Sequence, residues 1–234
     1  MLYDFLEENI RTQFVSVRDL KTGPRGQVTL VRHRSAGTQM VLRSFQGSAA
    51  VYQKLLTVNC SNLPRVAEAA EKDGHVLVLE EYIQGDPLSL LLEDGRTLPS
   101  KQAADIARQV CGALWVLHGR GVVHRDVKPG NVLLRGGTAV LIDFDASRQY
   151  DAASRKDTQV LGTVGYAAPE QFGFTQTDAR ADIYALGVML NVMLTGQHPS
   201  RALAKGRLGR VIQRCTMISP QHRYPSILRL MEDL

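Results

Sequence analysis

Asp126, Lys128 and Asn131 in the segment HRDVKPGN (124–131), with Asp143 in DFD (143–145), are the side chains of this chain best suited to chemistry. A carboxylate accepts a proton or holds a hard cation, an amide oxygen joins it around that cation, and a nearby ammonium neutralises anionic charge. Such work requires two facing segments carried on rigid elements. The first segment follows a run in which Ala103, Ala104, Ala107, Val110, Cys111, Leu114 and Leu117 recur at helical spacing, with Ser100 as its cap and Gly119 to Gly121 as its end. The second follows two short strands, VLLR (132–135) and AVLID (139–143), around a Gly-Gly turn.

The character of the chain changes near residue 87. Before it, QVTLVRH (27–33), TQMVLRSF (38–45) and HVLVLEEYI (75–83) read as strands of an antiparallel sheet, interrupted by one helix from about Ala49 to Leu56. After it the chain is helical. A second long helix, Ala179 to Thr195, has Ile183, Leu186, Val188, Met189, Val192 and Met193 on its faces, which predicts burial, and Gly196 closes it. A final helical pair is expected at 208–216 and 227–234. Sheet first and helices second predict an α+β fold of two lobes, about 1–84 and 87–234, joined through 81–86 with a cleft between them.

With 234 residues, 44% apolar and 22% charged, the chain can bury a core without staples, and disorder or a fibrous repeat is excluded. The net charge of +5 is too small and too dispersed to demand nucleic acid, but suits an anionic ligand such as a nucleotide. Cys60, Cys111 and Cys215 form no CxxC pair, which argues against a disulfide framework or a zinc site and for a reducing compartment. MLYDFLEEN has acids where a secretion signal needs bases, and no apolar run approaches the roughly 18 residues of a membrane span. A cytoplasmic chain without a membrane segment is the expectation.

HRDVKPGN and DFD stand at the spacing of a protein-kinase catalytic centre, and the chain resembles the eukaryotic-type Ser/Thr protein kinase family. The resemblance continues through GTVGYAAPE (162–170), Asp182 in the buried helix and Arg223 before the last helix, and YAAPEQ resembles bacterial versions. It implies a bilobal kinase fold with a small β-rich N-lobe and a mainly helical C-lobe. The αG region is reduced, since Pro199 and Val211 lie too close for the usual helix. It also implies ATP and Mg²⁺ as cofactors and a protein Ser or Thr hydroxyl, its own included, as acceptor. Asp126 is then the catalytic base, Lys128 lies beside the transferring phosphate, and Asn131 and Asp143 hold the metal. Thr163 contacts the Asp126–Lys128 pair, Asp182 accepts backbone N–H groups of the catalytic loop, and Glu170 pairs with Arg223. Val28 and Val41 cover one face of the adenine and Leu133 the other, with backbone hydrogen bonds at Glu81 and Ile83. His124 and Phe144 join a buried stack. Arg125 reads either as a surface arginine or as a receptor for a phosphorylated loop residue, with Thr158 a better candidate than Ser154.

The chain departs from the family pattern in its first lobe. The phosphate-covering loop reads KTGPRGQV (21–28), with Lys21 for the first glycine and Gly23 and Gly26 kept. MVLR puts Arg43 where the phosphate-contacting lysine belongs. From Leu20 through Ala67 there is no Asp or Glu against seven Lys and Arg, so the short helix offers Val51 or Tyr52 in place of the pairing glutamate. Glu80, on the hinge strand, either pairs with Arg43 in its stead or, with the strand shifted by one residue, is solvated. Asp145 replaces the glycine of DFG and should restrict the flip of that motif; a metal-binding role is the less favoured reading. An active minimal Ser/Thr kinase is the first reading. A nucleotide-binding or partner-binding pseudokinase is the alternative, with a small-molecule kinase or a transferase of another part of the nucleotide behind it.

Overall fold

A computed structural model describes residues 2–24, 26–149, 163–172 and 177–234. Thr158 and Ser154 lie outside these. The chain divides into two units, residues 1–60 with 64–84, and residues 61–63 with 85–234.

The first unit begins with α1 (Leu2–Gln13), followed by β1 (Phe14–Gly23), β2 (Gly26–His33), β3 (Gln39–Gln46), α2 (Ala50–Leu55), β4 (Val66–Lys72) and β5 (His75–Glu81). The strands form one antiparallel sheet in the order β1-β2-β3-β5-β4. Strand periodicity separates its faces. Met40, Leu42, Leu77 and Leu79 point to one face, where Leu42 and Leu77 pack on Leu6 of α1, and Met40, Leu42 and Leu79 on Phe14 and Val31. On the opposite face β2, β3 and β5 align Val28 with Arg43, Arg43 with Val78, and Val41 with Glu80. On that side Tyr52 of α2 has its ring 5.9 Å from the ring of Phe45.

Three of these elements were not expected from the sequence. β1 is exposed along almost its whole length, so it lacks the alternation that marks a half-buried strand. β4, VAEAAEK, is built from Ala and Glu, poor strand formers that sheet pairing overrides. α1 has one fully buried side chain, Leu6, and Asp4 in its first turn suits the start of a helix.

The second unit contains β6 (Asp86–Pro87), α3 (Leu88–Leu91), α4 (Ser100–His118), β7 (Val122–Val123), β8 (Val132–Arg135), β9 (Thr138–Leu141), β10 (Arg148–Gln149), α5 (Arg180–Thr195), α6 (Gly206–Cys215) and α7 (Ile227–Glu232). α5 is buried on nearly all sides, as its continuous apolar character requires, and ends at Gly196 with φ 68°. Ser100 is the first residue of α4 and not its cap; Pro99 holds the cap position, without a side-chain hydrogen bond. Residues 61–63 group with this unit because Asn62 pairs with β9, accepting from Leu141 N at 2.9 Å and donating to Ala139 O at 2.8 Å. Residues 196–205 contain no helix, which is the reduction expected before α6.

Candidate active site

The chemical segments are assembled around Asp182, in the first turn of α5. Its carboxylate is fully buried and accepts from His124 N at 2.9 Å and Arg125 N at 2.7 Å. His118, at the end of α4, contacts the same carboxylate through Nε2 at 2.8 Å. Burial pushes the carboxyl upward, but the His118 hydrogen bond and the charges and N–H groups around it hold it below the usual carboxylate value. Because the folded value is depressed, its contribution to stability is complete above the unfolded value near 3.8 and is lost as pH falls through the folded one. Asp182→Asn is therefore expected to lower stability at neutral pH and to flatten its acid dependence, read by urea unfolding between pH 3 and 7.

Arg125 is not a surface residue. It is 1% exposed, with a left-handed backbone at φ 68°. Such a conformation costs a non-glycine residue about 1 kcal/mol or more. It is held by the Asp182 bond to its N–H and by Gln171 Nε2 donating to its carbonyl at 2.9 Å.

The loop then presents Asp126. Its Oδ2 accepts from Lys128 Nζ at 2.7 Å and Asn131 Nδ2 at 2.9 Å, and its Oδ1 accepts from the Thr163 hydroxyl at 2.6 Å. Lys128 also donates to the Thr163 oxygen at 2.6 Å, closing a polar triangle. Burial pushes the Asp126 carboxyl up, but the hydrogen bonds of Lys128 and Thr163, the Lys128 charge and the Asn131 amide outweigh it and keep the group ionised at neutral pH. A carboxylate offers about four lone-pair sites. Those bonds use three of them, leaving room for one more donor at Oδ1.

Asn131 and Asp143 meet through the β8–β9 hairpin. Val132 pairs with Leu141, and Ile142 N donates to Asn131 O at 2.9 Å, which brings the next residue, Asp143, to Asn131. The Asn131 amide nitrogen is engaged with the carbonyl and carboxylate of Asp126, so its oxygen is turned the other way. Left-handed backbone falls on Asp143, at φ 69°, and not on Asp145. The strain expected for Asp at the glycine position of the motif is thus not present in this conformation; Asp145 is exposed and its N–H approaches Asp143 Oδ1 at 3.4 Å. Phe144 is buried, its ring 5.6 Å from that of His124. Burial lowers the pKa of His124, whose Nε2 donates to Ile142 O at 3.2 Å while Nδ1 accepts from Asp126 N at 3.3 Å. Both ring nitrogens of this neutral imidazole are occupied in structural roles.

Glu170 and Arg223 form a bidentate pair at 2.6 and 2.8 Å. The remaining donors of Arg223 reach the carbonyls of Met217, Arg180 and Ile218, so all five are used. Removing one member of a buried pair strands the other, and Arg223→Met is expected to cost about 3–5 kcal/mol, measurable by denaturant unfolding.

In the first unit, Arg43 Nε donates to Glu80 Oε1 at 2.7 Å, and the two side chains are 6% and 4% exposed. The register of β3 against β5 puts Val41 opposite Glu80 and Arg43 one diagonal step away, within reach of long side chains. Glu80 is therefore paired, and the shifted-strand alternative is excluded. Gly23 and Gly26 close the β1–β2 hairpin as a pair. A Cβ at Gly26 would lie 2.2 Å from Ser44 O, so the close approach of β3 requires glycine there. Val28 is half-buried on β2, and Val41 is buried on β3. Glu81 N donates to Arg65 O at 2.8 Å; Ile83 is buried, and Leu133 is half-buried on β8.

A family model described as "Protein kinase domain" matches residues 14–228. The chain is 32% identical over 204 residues to serine/threonine-protein kinase Pkn1 of Myxococcus xanthus, which covers 80% of this chain and 29% of that one. It is 36% identical over 168 residues to serine/threonine-protein kinase PknL of Mycobacterium tuberculosis, 71% of this chain and 41% of that one. This chain belongs to the protein kinase family. It spans less than half the length of these relatives.

Kinases of this family use ATP and Mg²⁺. Mg²⁺ asks for one or two protein oxygens and keeps water and phosphate oxygens for the rest of its shell. Asn131, its amide oxygen turned away from Asp126, and Asp143 beside it fit that demand. No helix among the described residues is long and apolar enough to cross a membrane. Two features of this kinase were beyond sequence reasoning: His118 on Asp182, which is 64 residues away in the chain, and the burial of Arg125. No spacing rule signals either.

Proposed function

We propose that this kinase transfers the γ-phosphoryl group of ATP to a Ser or Thr hydroxyl of a protein, its own chain included. The observation that carries this reading is the triangle of Asp126, Lys128 and Thr163. Asp126 already holds one hydroxyl, that of Thr163, and has a further acceptor site on the same oxygen. A substrate hydroxyl placed there is oriented for attack and gives up its proton to Asp126. The new bond joins that oxygen to the γ-phosphorus as the bond to the β,γ-bridging oxygen breaks and ADP leaves. Lys128, bonded to Asp126 Oδ2 and to the Thr163 oxygen, neutralises charge on the transferring group. Mg²⁺, when bound by Asn131 and Asp143, neutralises the phosphate oxygens. We assign Val28, Val41, Leu133 and the backbone of Glu81 and Ile83 to the adenine, and Gly23, Gly26 and Arg43 to the phosphates.

The test is intact mass after incubation with Mg-ATP and a generic protein acceptor, beside Asp143→Ala. Phosphate on chain or acceptor with the natural sequence and none with the variant supports the reading. Nucleotide binding without transfer in both refutes it.

A further inference from the structure

Between Asp182 and Glu232 the chain has no acidic residue and seven Lys or Arg. Three of these are engaged within the fold: Arg214 lies 4.2 Å over the ring of Tyr224, Arg223 is on Glu170, and Arg229 is on Glu232. The other four, Arg201, Lys205, Arg207 and Arg210, are exposed and form no ion pair among the described residues. They gather along the non-helical stretch 196–205 and the start of α6.

That stretch is fixed from both sides. Asn191, buried in α5, donates from Nδ2 to Gln197 O and Ala202 O, both at 2.8 Å, and accepts at Oδ1 from Ala204 N at 2.9 Å. On α6, Gly209 admits the Ala204 carbonyl so closely that a Cβ there would lie 2.0 Å from its oxygen. A loop held this way is preorganised, so a ligand does not bear the cost of ordering it. Beside it opens a groove of 480 Å³, lined by Leu194, Leu203, Ala204 and Leu208 on one hand and by Ser100, Thr195, Lys205 and Arg207 on the other.

We propose that this groove docks an acidic segment of a protein substrate. An aliphatic side chain of the segment sits on the leucines, and its carboxylates face Lys205, Arg207 and the neighbouring Arg201 and Arg210. The aliphatic part of the lining favours a peptide over a phosphate backbone, and the four exposed cations repel a basic one. That the partner is a substrate rests on the kinase reading; the docking itself does not.

The probe is a fluorescent Glu-Glu-Leu-Glu-Glu peptide, followed by anisotropy, with companions carrying Ser for Leu or Lys for Glu. The Ser peptide is expected to bind about fivefold more weakly and the Lys peptide not at all. Lys205→Glu with Arg207→Glu is expected to weaken the acidic peptide about tenfold. Arg32→Glu with Arg34→Glu, the same change in net charge on exposed residues of the first unit, is expected to stay within about twofold. Equal weakening by the two double variants, or equal binding of the Leu and Ser peptides, would overturn the proposal, as would a single-stranded oligonucleotide binding more tightly than the peptide and losing affinity in the groove variant. A Ser acceptor joined to the acidic peptide by a flexible linker should show a lower KM at unchanged kcat, and an unchanged KM refutes the substrate role. Anisotropy needs no turnover, so peptide binding without phosphate transfer would refute the kinase reading and leave the docking intact.

Discussion

Asp126→Asn is expected to lower the rate of phosphoryl transfer by about 10²- to 10⁴-fold while Mg-ATP affinity stays within about twofold. Asn preserves the shape of the side chain and can still accept from Thr163, but its nitrogen meets Lys128 and Asn131 donor to donor and its oxygen takes no proton. Single-turnover transfer and calorimetric Mg-ATP binding on the same preparation check it. Lys128→Met is expected to fall in the same range, and the double variant little lower, because residues that act as one unit are not additive. A transfer rate in Asp126→Asn equal to that of the natural sequence would remove Asp126 from the chemistry. The depressed carboxyl of Asp126 adds a pH signature: the acid limb of the transfer rate should lie below the ordinary carboxylate value near 3.8, as far as folding permits.

Glu80→Leu is expected to destabilise the protein by about 3–5 kcal/mol and to weaken Mg-ATP binding, because Arg43 is left buried without its carboxylate. Arg43→Leu strands Glu80 in the same way. Arg43→Leu with Glu80→Leu should cost less than the sum of the single changes by about 1–3 kcal/mol, since neither charge is then stranded. Urea unfolding of the four proteins closes this cycle, and additive costs would show that the pair is not coupled. Where the double variant folds and still binds Mg-ATP weakly, Arg43 acts on the nucleotide and not only on the sheet. The sheet supplies this carboxylate internally, across one diagonal of β3 and β5. Positioning of Arg43 by Glu80 thus needs no acid from α2, which has none.

What the sequence determined by itself was which groups of the second unit could do chemistry and how they come together. HRDVKPGN and DFD each fit within eight residues, and the hairpin between them is a local structure whose turn and strand residues dictate its register. Asn131 and Asp143 therefore come together for reasons visible in the chain, and the buried helix that carries Asp182 announces itself by continuous apolar character. The elements missed in the first unit lacked such local marks. β1 is an exposed edge, and β4 is an Ala-Glu strand that exists because β5 pairs with it. Only the tertiary structure decided between a paired and a solvated Glu80, since a slip of one residue turns every side chain of a strand to the other face. It also buried Arg125, brought His118 to Asp182 across 64 residues, and moved the left-handed backbone from Asp145 to Asp143. Each of these depends on which distant group arrives to satisfy a buried polar atom. That is settled by packing, where short-range periodicity carries no information.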